Sequence, residues 1–163
     1  MECQLSELYQ KQKELDQEIA ENHKITYDLT RNKRVLALLV ELGEFANTTR
    51  CFKFWSNKGK EDKEVVLDEF ADGLHFILSL GIDKGYIIDS ISINDDETSL
   101  TETYLNTYEL ISIFKHTQSF MDYVKMFESY LKLLIKVGYT WEEAHEAYLK
   151  KLQVNHQRQE NNY

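Results

Sequence analysis

The sequence predicts an all-α fold, and three observations carry that prediction. Proline is absent and glycine occurs only six times in 163 residues, so neither helix breaker interrupts the long periodic segments. Apolar stripes at helical spacing recur along most of the chain. Apolar residues make up 42% of the whole, enough for one sizeable core, and the length suits a single domain covering residues 1–163. The expected architecture is a multi-helix bundle.

Residues 2 to 25 give a first helix. Leu5, Leu8, Leu15 and Ile19 form its apolar stripe, and Gln12 and Asp16 stand four apart on one face. Taken alone, those two are ordinary solvated polar groups of a helix. A second helix covers 30 to 49, with Thr30 as its N-cap. The segment RCFKFWSNKGKED (Arg50 to Asp62) then alternates Arg50, Lys53, Lys58 and Lys60 with Phe52, Phe54 and Trp55. Such a loop either packs its rings into the core or offers cations to phosphates and flat rings to a base. A third helix runs from about Lys63 to Ile82, with Glu69, Asp72 and His75 along one face. Asp68 lies off that face and is expected in solvent.

The stretch from Asp83 to Thr98 is read as an irregular connection or a short helix. YIIDSISIN is rich in Ile and loosely alternating, but no partner strand is visible elsewhere. Thr98 or Ser99 then caps a helix reaching about Lys115. The next runs from about Ser119 to Val137, with Gly138 as its stop. Thr140 opens the last helix through a capping box with Glu143. On that helix Tyr148, Lys151, Asn155 and Arg158 share a face, which reads either as solvated charge or as a phosphate grip.

Charge and composition exclude several classes. The net charge is −9, which disfavours general nucleic-acid binding, because phosphate contacts need clustered Lys and Arg. No long apolar run or leader pattern appears, so a soluble, cytoplasmic protein without membrane contact is expected. The two cysteines, Cys3 and Cys51, have no metal-ligand spacing.

Two acid pairs carry the chemistry: Glu41 and Glu44, then Glu69 and Asp72. Each pair is spaced i, i+3 and so shares a helix face. The first pair supplies the only charges in VLALLVELGEFA (Val35 to Ala46), a helix apolar enough to be buried. Like charges that close, in a buried helix, call for a cation between them. Hard oxygen donors, with no Cys and at most one His, favour Mg²⁺, with Mn²⁺ the other ion such a set accepts. The matching chemistry is phosphoryl transfer to water. There is no GxxxxGK[ST] phosphate loop. A di-iron bundle would use ExxH pairs. Glu142 and His145 have that spacing but sit in the first turn of the last helix, and the ExxE pair departs from that pattern.

The segments ELGEFAN, RCFKFW, DEFADGLHF and YLKKLQVNHQRQ resemble the dimeric all-α dUTPases, within the wider all-α NTP pyrophosphatase group that includes MazG-like proteins. The group's pattern of ExxE, a spacer and ExxD is matched by Glu41, Glu44, Glu69 and Asp72, with 24 residues between the pairs. The resemblance covers roughly residues 5 to 82 and 140 to 163 and is closest to phage-encoded enzymes of Gram-positive hosts, which would act in the host cytoplasm. Residues from about 84 to 130 form a less well matched helical insert.

The resemblance implies a homodimeric, Mg²⁺-dependent dUTP diphosphatase releasing dUMP and pyrophosphate. Glu41, Glu44, Glu69 and Asp72 would hold the metal, two or more ions per site, and Glu41 or Glu44 would activate the water, Glu41 being favoured. Attack on the α or β phosphorus gives the same products. Gln12 and His75 would line the uracil pocket, with Trp55 stacking nearby. The family often has Asn where Asp16 stands, and an ionised Asp cannot donate a hydrogen bond, which bears on any direct contact of Asp16 with uracil. Lys53, Lys151, Asn155 and Arg158, joined by Asn47, would grip the triphosphate or ribose. The alternatives are a MazG-like or dCTP-type pyrophosphatase, or a regulator-binding protein acting through the middle helices. Relatives in staphylococcal phages relieve a repressor, so a repressor protein is a further implied partner. Leu131, Leu134 and Ile135 give the fifth helix apolar surface for the second subunit of the dimer.

Overall fold

The computed structural model describes residues 1–163 as six helices and one two-stranded ribbon. In chain order these are β1 (Glu2–Gln4), α1 (Ser6–His23), α2 (Tyr27–Thr49), α3 (Lys63–Lys84), β2 (Ser90–Ser92), α4 (Leu100–Thr117), α5 (Phe120–Val137) and α6 (Trp141–Glu160). No helix is long and apolar enough to cross a membrane.

The most deeply enclosed helix is α3, which touches α1, α2, α5 and α6. Its buried residues cover most of its circumference, from Leu80 through Phe70 and Leu74 round to His75 and Ser79. A helix apolar over so wide an arc must be surrounded. Two glycines let α5 approach it closely. The Tyr130 ring lies against Gly73 and its hydroxyl donates to the Phe70 carbonyl at 2.7 Å. The Tyr123 ring lies against Gly81 and its hydroxyl donates to the Ile77 carbonyl at 3.0 Å. α2 runs beside α3 and also meets α4, while α6 closes over α1 and α3.

The expected helix ends hold at several points. Ser99 and Thr140 each form a capping box, with Glu102 and Glu143. Gly85 and Gly138 take positive φ (73° and 88°) just past α3 and α5, where a left-handed residue ends a helix without a Cβ clash.

Other local expectations are corrected. The first helix does not begin at residue 2. Glu2–Gln4 is a strand, and its partner is Ser90–Ser92, in the segment read as irregular for want of one. The pairing is antiparallel, with Cys3 opposite Ile91 and both side chains buried. With only three residues in each strand, neither run shows enough alternation to be told from a helix end or a loop. α2 starts at Tyr27, not at 30. Thr26 is the residue whose side chain caps it, and Thr30 lies inside, its hydroxyl donating to the Thr26 carbonyl. Leu131 and Leu134, expected to offer surface to a second chain, are fully buried within this one, and Ile135 is half-buried.

Candidate active site

α2 and α3 lie side by side and bring the two acid pairs face to face. Carboxylate oxygens of Glu41, Glu69 and Asp72 lie within 4.8 Å of one another. Glu44 is exposed and stands outside that group. Burial raises the Glu41 carboxyl to about 8, helped by a hydrogen bond with Glu44 and by the charges of Asp72 and Glu69. Glu69 is raised by burial and by Glu44 and Asp72. Asp72 is also raised by burial, which outweighs the opposing pull of Lys151. Three carboxyls all shifted against ionisation form a site short of positive charge. Its donors are hard oxygens, so the residues present fit a hard divalent cation.

Lys151 supplies part of that charge from α6. Its Nζ donates to Asp68 Oδ2 at 2.7 Å and to Asp72 Oδ2 at 2.8 Å. Asp68 is exposed, as its place off the acid face implied, and its carboxylate also shares the ammonium with Asp72. The Lys151 side chain is itself buried. Burial disfavours its charge, and the two aspartates outweigh that and raise its pKa.

Beside the acids opens a cavity of about 520 Å³. Of the residues singled out in the sequence, Gln12, Asp16, Glu41, Asp72, His75, Asn155 and Arg158 line it. Glu44, Glu69, Lys151, Asn47, Lys53 and Trp55 do not. Asn47 is exposed on α2. The Lys53 ammonium lies 5.8 Å over its neighbour Phe52. Trp55 is 65% exposed and packs edge-on against Phe54, itself 93% exposed. The basic-aromatic loop thus stands beyond the far end of the acid-bearing hairpin, away from the Gln12–His75 end of the cavity.

That end is a closed hydrogen-bond network. His75 is buried among α1, α3 and α6, and burial, followed by the Lys151 and His156 charges, lowers its pKa to about 3, so the ring is neutral. Its Nδ1 donates to Gln12 Oε1 at 2.5 Å. The Tyr148 hydroxyl donates to the same oxygen at 2.9 Å, and its ring stacks on His75 with centroids 4.2 Å apart. Gln12 Nε2 donates to Asp16 Oδ1 at 2.9 Å. Asp16 Oδ2 accepts from Ser79 Oγ at 2.7 Å and from the Tyr27 hydroxyl at 2.9 Å. His75 Nε2 is left buried without a partner.

Several residues of the site escaped the sequence reading. Tyr148 was placed on a charged face of α6, yet it is fully buried behind the cavity wall. Tyr27, Thr30, Arg34 and Ser79 line the cavity itself. A signal existed for them: Arg34, Thr30 and Tyr27 continue the Glu41 stripe toward the start of α2, and Ser79 continues Asp72 and His75 along α3. Arg34 is held by Asp83, whose buried carboxylate also accepts two bonds from Arg31. Burial works against that charge, but the two arginines outweigh it and hold Asp83 below its ordinary pKa.

No curated protein matches the chain. A family model described as dUTPase matches residues 4–163, a span that includes the segment 84–130. With the match covering all but three residues, and with facing acid pairs beside a nucleoside-sized cavity, the chain belongs to the dUTPase family and is a dUTP diphosphatase.

Proposed function

We propose that the cavity holds dUTP with the uracil at the Gln12–His75 end and the phosphates at Glu41, Glu69 and Asp72, and that the cation there is Mg²⁺. The observation that carries this reading is the unpartnered His75 Nε2. The ring is neutral and Nδ1 holds the proton, so Nε2 is a bare acceptor on a residue of the cavity wall. Uracil offers a donor, its imide N–H, whereas cytosine carries an acceptor at that place. A mismatched pair leaves two acceptors face to face, which costs on the order of 1–3 kcal/mol per unpaired group.

A divalent cation at the acids supplies charge neutralisation to the phosphate chain. The chain's own residues do the rest. Glu41, ionised once the local repulsion is cancelled, takes the proton of the attacking water at its carboxylate, with the Glu44 carboxylate one helical turn away. Asn155 and Arg158, at the α6 rim, orient the phosphates or ribose. Lys151 is close enough to Asp72 to move between carboxylate and phosphate oxygen. Lys53 and Asn47, beyond the acids from the base pocket, would meet the pyrophosphate end. The exposed Trp55 is better placed for that end than for stacking on the base.

The test is a panel of dNTPs with purified protein and Mg²⁺, following pyrophosphate release. Preference for dUTP over dCTP and dTTP is expected, and equal turnover of the three would overturn the reading. We further propose a cytoplasmic homodimer. Exposed Leu29, Leu36 and Val40 (71%, 63% and 51%) follow one another along α2 and support a second copy on that face. Light scattering at micromolar concentration checks this, with a monomer counting against it. Contact with a repressor protein through α4 and α5 is tested by capture with the catalytically dead Glu41→Gln variant.

A further inference from the structure

We propose that Asp68 is a positioning residue for metal loading: it keeps the Lys151 ammonium paired when a divalent cation takes Asp72, so that Lys151 can give up Asp72 at little cost. The inference rests on the functional reading above, and only on its statement that the acids receive a cation.

One ammonium here serves two carboxylates. Lys151 Nζ donates to Asp68 Oδ2 at 2.7 Å and to Asp72 Oδ2 at 2.8 Å. The two acids differ in what else they do. Asp72 belongs with Glu41 and Glu69 to the group that could hold a metal ion, and Asp68 does not. Asp72 is half-buried, whereas Asp68 is exposed. A cation at the cluster therefore competes with Lys151 for Asp72 and leaves Asp68 free of that competition. Lys151 cannot retreat into water, because its side chain is buried. Burial already works against its charge, and only the two aspartates outweigh it. A buried ammonium stripped of its partners is far costlier than a solvated one.

Asp68 removes that conflict. It stands one turn before Asp72 on α3, spaced i, i+4, so Lys151 reaches both acids from one place on α6. When the cation takes Asp72, the ammonium keeps its bond to Asp68. An ammonium carries three donors. One stays with Asp68, and the one that pointed at Asp72 is released beside the cation, where a phosphate oxygen can accept it. Without Asp68 the ammonium has Asp72 as its sole carboxylate, and the cation must displace it into an unpaired state.

The experiment measures Mn²⁺ binding to the full chain by calorimetry, with no nucleotide present. Asp68 is exposed on a helix, so Asp68→Ala leaves the core intact. That variant should bind Mn²⁺ about three- to tenfold more weakly than the wild type. A direct attraction between Asp68 and the cation would also weaken binding, and a second variant separates the two routes. Lys151→Met has no ammonium to hold, so adding Asp68→Ala to it should change the affinity by less than about twofold. Equal affinity of wild type and Asp68→Ala overturns the proposal. A loss that persists in the Lys151→Met background overturns it too, because Asp68 would then act on the cation itself. A crystal structure of the Mn²⁺-bound wild type decides even if Lys151→Met does not fold. Lys151 Nζ should remain on Asp68 and stand clear of Asp72, and an ammonium still bonded to Asp72, or gone from Asp68, refutes the hand-over. A wild type that binds no Mn²⁺ overturns the cation reading and this proposal together. One that binds Mn²⁺ without preferring dUTP overturns the choice of nucleotide alone.

Discussion

His75 should make the folded protein sensitive to mild acid in a way that one substitution removes. Its ordinary pKa of 6.5 falls to about 3 in the fold, through burial first and the Lys151 and His156 charges next. The group is 5% exposed, so solvent screening takes little away from that shift. A base whose folded pKa is depressed binds more protons when unfolded. Its contribution is therefore intact above 6.5 and is lost as pH falls from there toward 3. Integrated from neutral pH to about pH 4.5, the loss is roughly 2–3 kcal/mol, a sizeable fraction of an ordinary domain's stability. Glu41, Glu69 and Asp72 push the other way in the metal-free protein, since carboxyls with raised folded pKa values gain relative stability as they protonate. Those groups are common to both proteins in a comparison of wild type with His75→Asn. Urea unfolding in metal-free buffer at neutral pH and at about pH 4.5 gives the stability gap between the two at each pH. The gap should shift by roughly 2–3 kcal/mol in favour of the variant on acidification. A gap that stays constant would refute a neutral, desolvated imidazole at this position.

Other outcomes follow from the same geometry. Glu69→Ala should abolish activity at saturating Mg²⁺ while leaving the helical circular dichroism unchanged, and unfolding instead would make the acids structural. Metal binding should release protons near neutral pH, because Glu41 is raised to about 8 and must ionise to serve as a ligand. Calorimetry in buffers of different ionisation enthalpy reads this, with apparent affinity falling as pH drops below about 8, and no proton release would contradict it. Gly73→Ala should destabilise by about 3 kcal/mol or more in urea unfolding, since its Cβ would overlap the buried Tyr130 ring between α3 and α5. Near-neutral behaviour would mean that α5 shifts freely.

Much of the fold was legible because helices announce themselves locally. The caps at Ser99 and Thr140 and the stop at Gly138 are set by side-chain and φ preferences within one turn, so the sequence alone fixes them. The β1–β2 ribbon was not legible, because its two three-residue strands are stabilised by each other across some ninety residues. The acid cluster was legible because charges interrupting an apolar helix conflict with burial, and the conflict is visible without coordinates. Asp68 is solvated as its position off the acid face implied, but its ion pair was not legible until α6 brought Lys151 to it.

What the sequence determined by itself is most of the helices and the two acid pairs, Glu41 with Glu44 and Glu69 with Asp72, since periodicity and residue type are local properties; that Glu44 stands outside the cluster only the structure decided. What only the tertiary structure decided is the company those residues keep. Lys151 lies between Asp68 and Asp72, Tyr148 stacks on His75, and Asp16 is tied to Gln12, Ser79 and Tyr27. Apart from the Asp16–Gln12 bond within α1 and the short reach to Tyr27, these contacts join helices distant in sequence. The direction of a hydrogen bond, and with it the lone pair that His75 presents, depends on which donors and acceptors packing brings together.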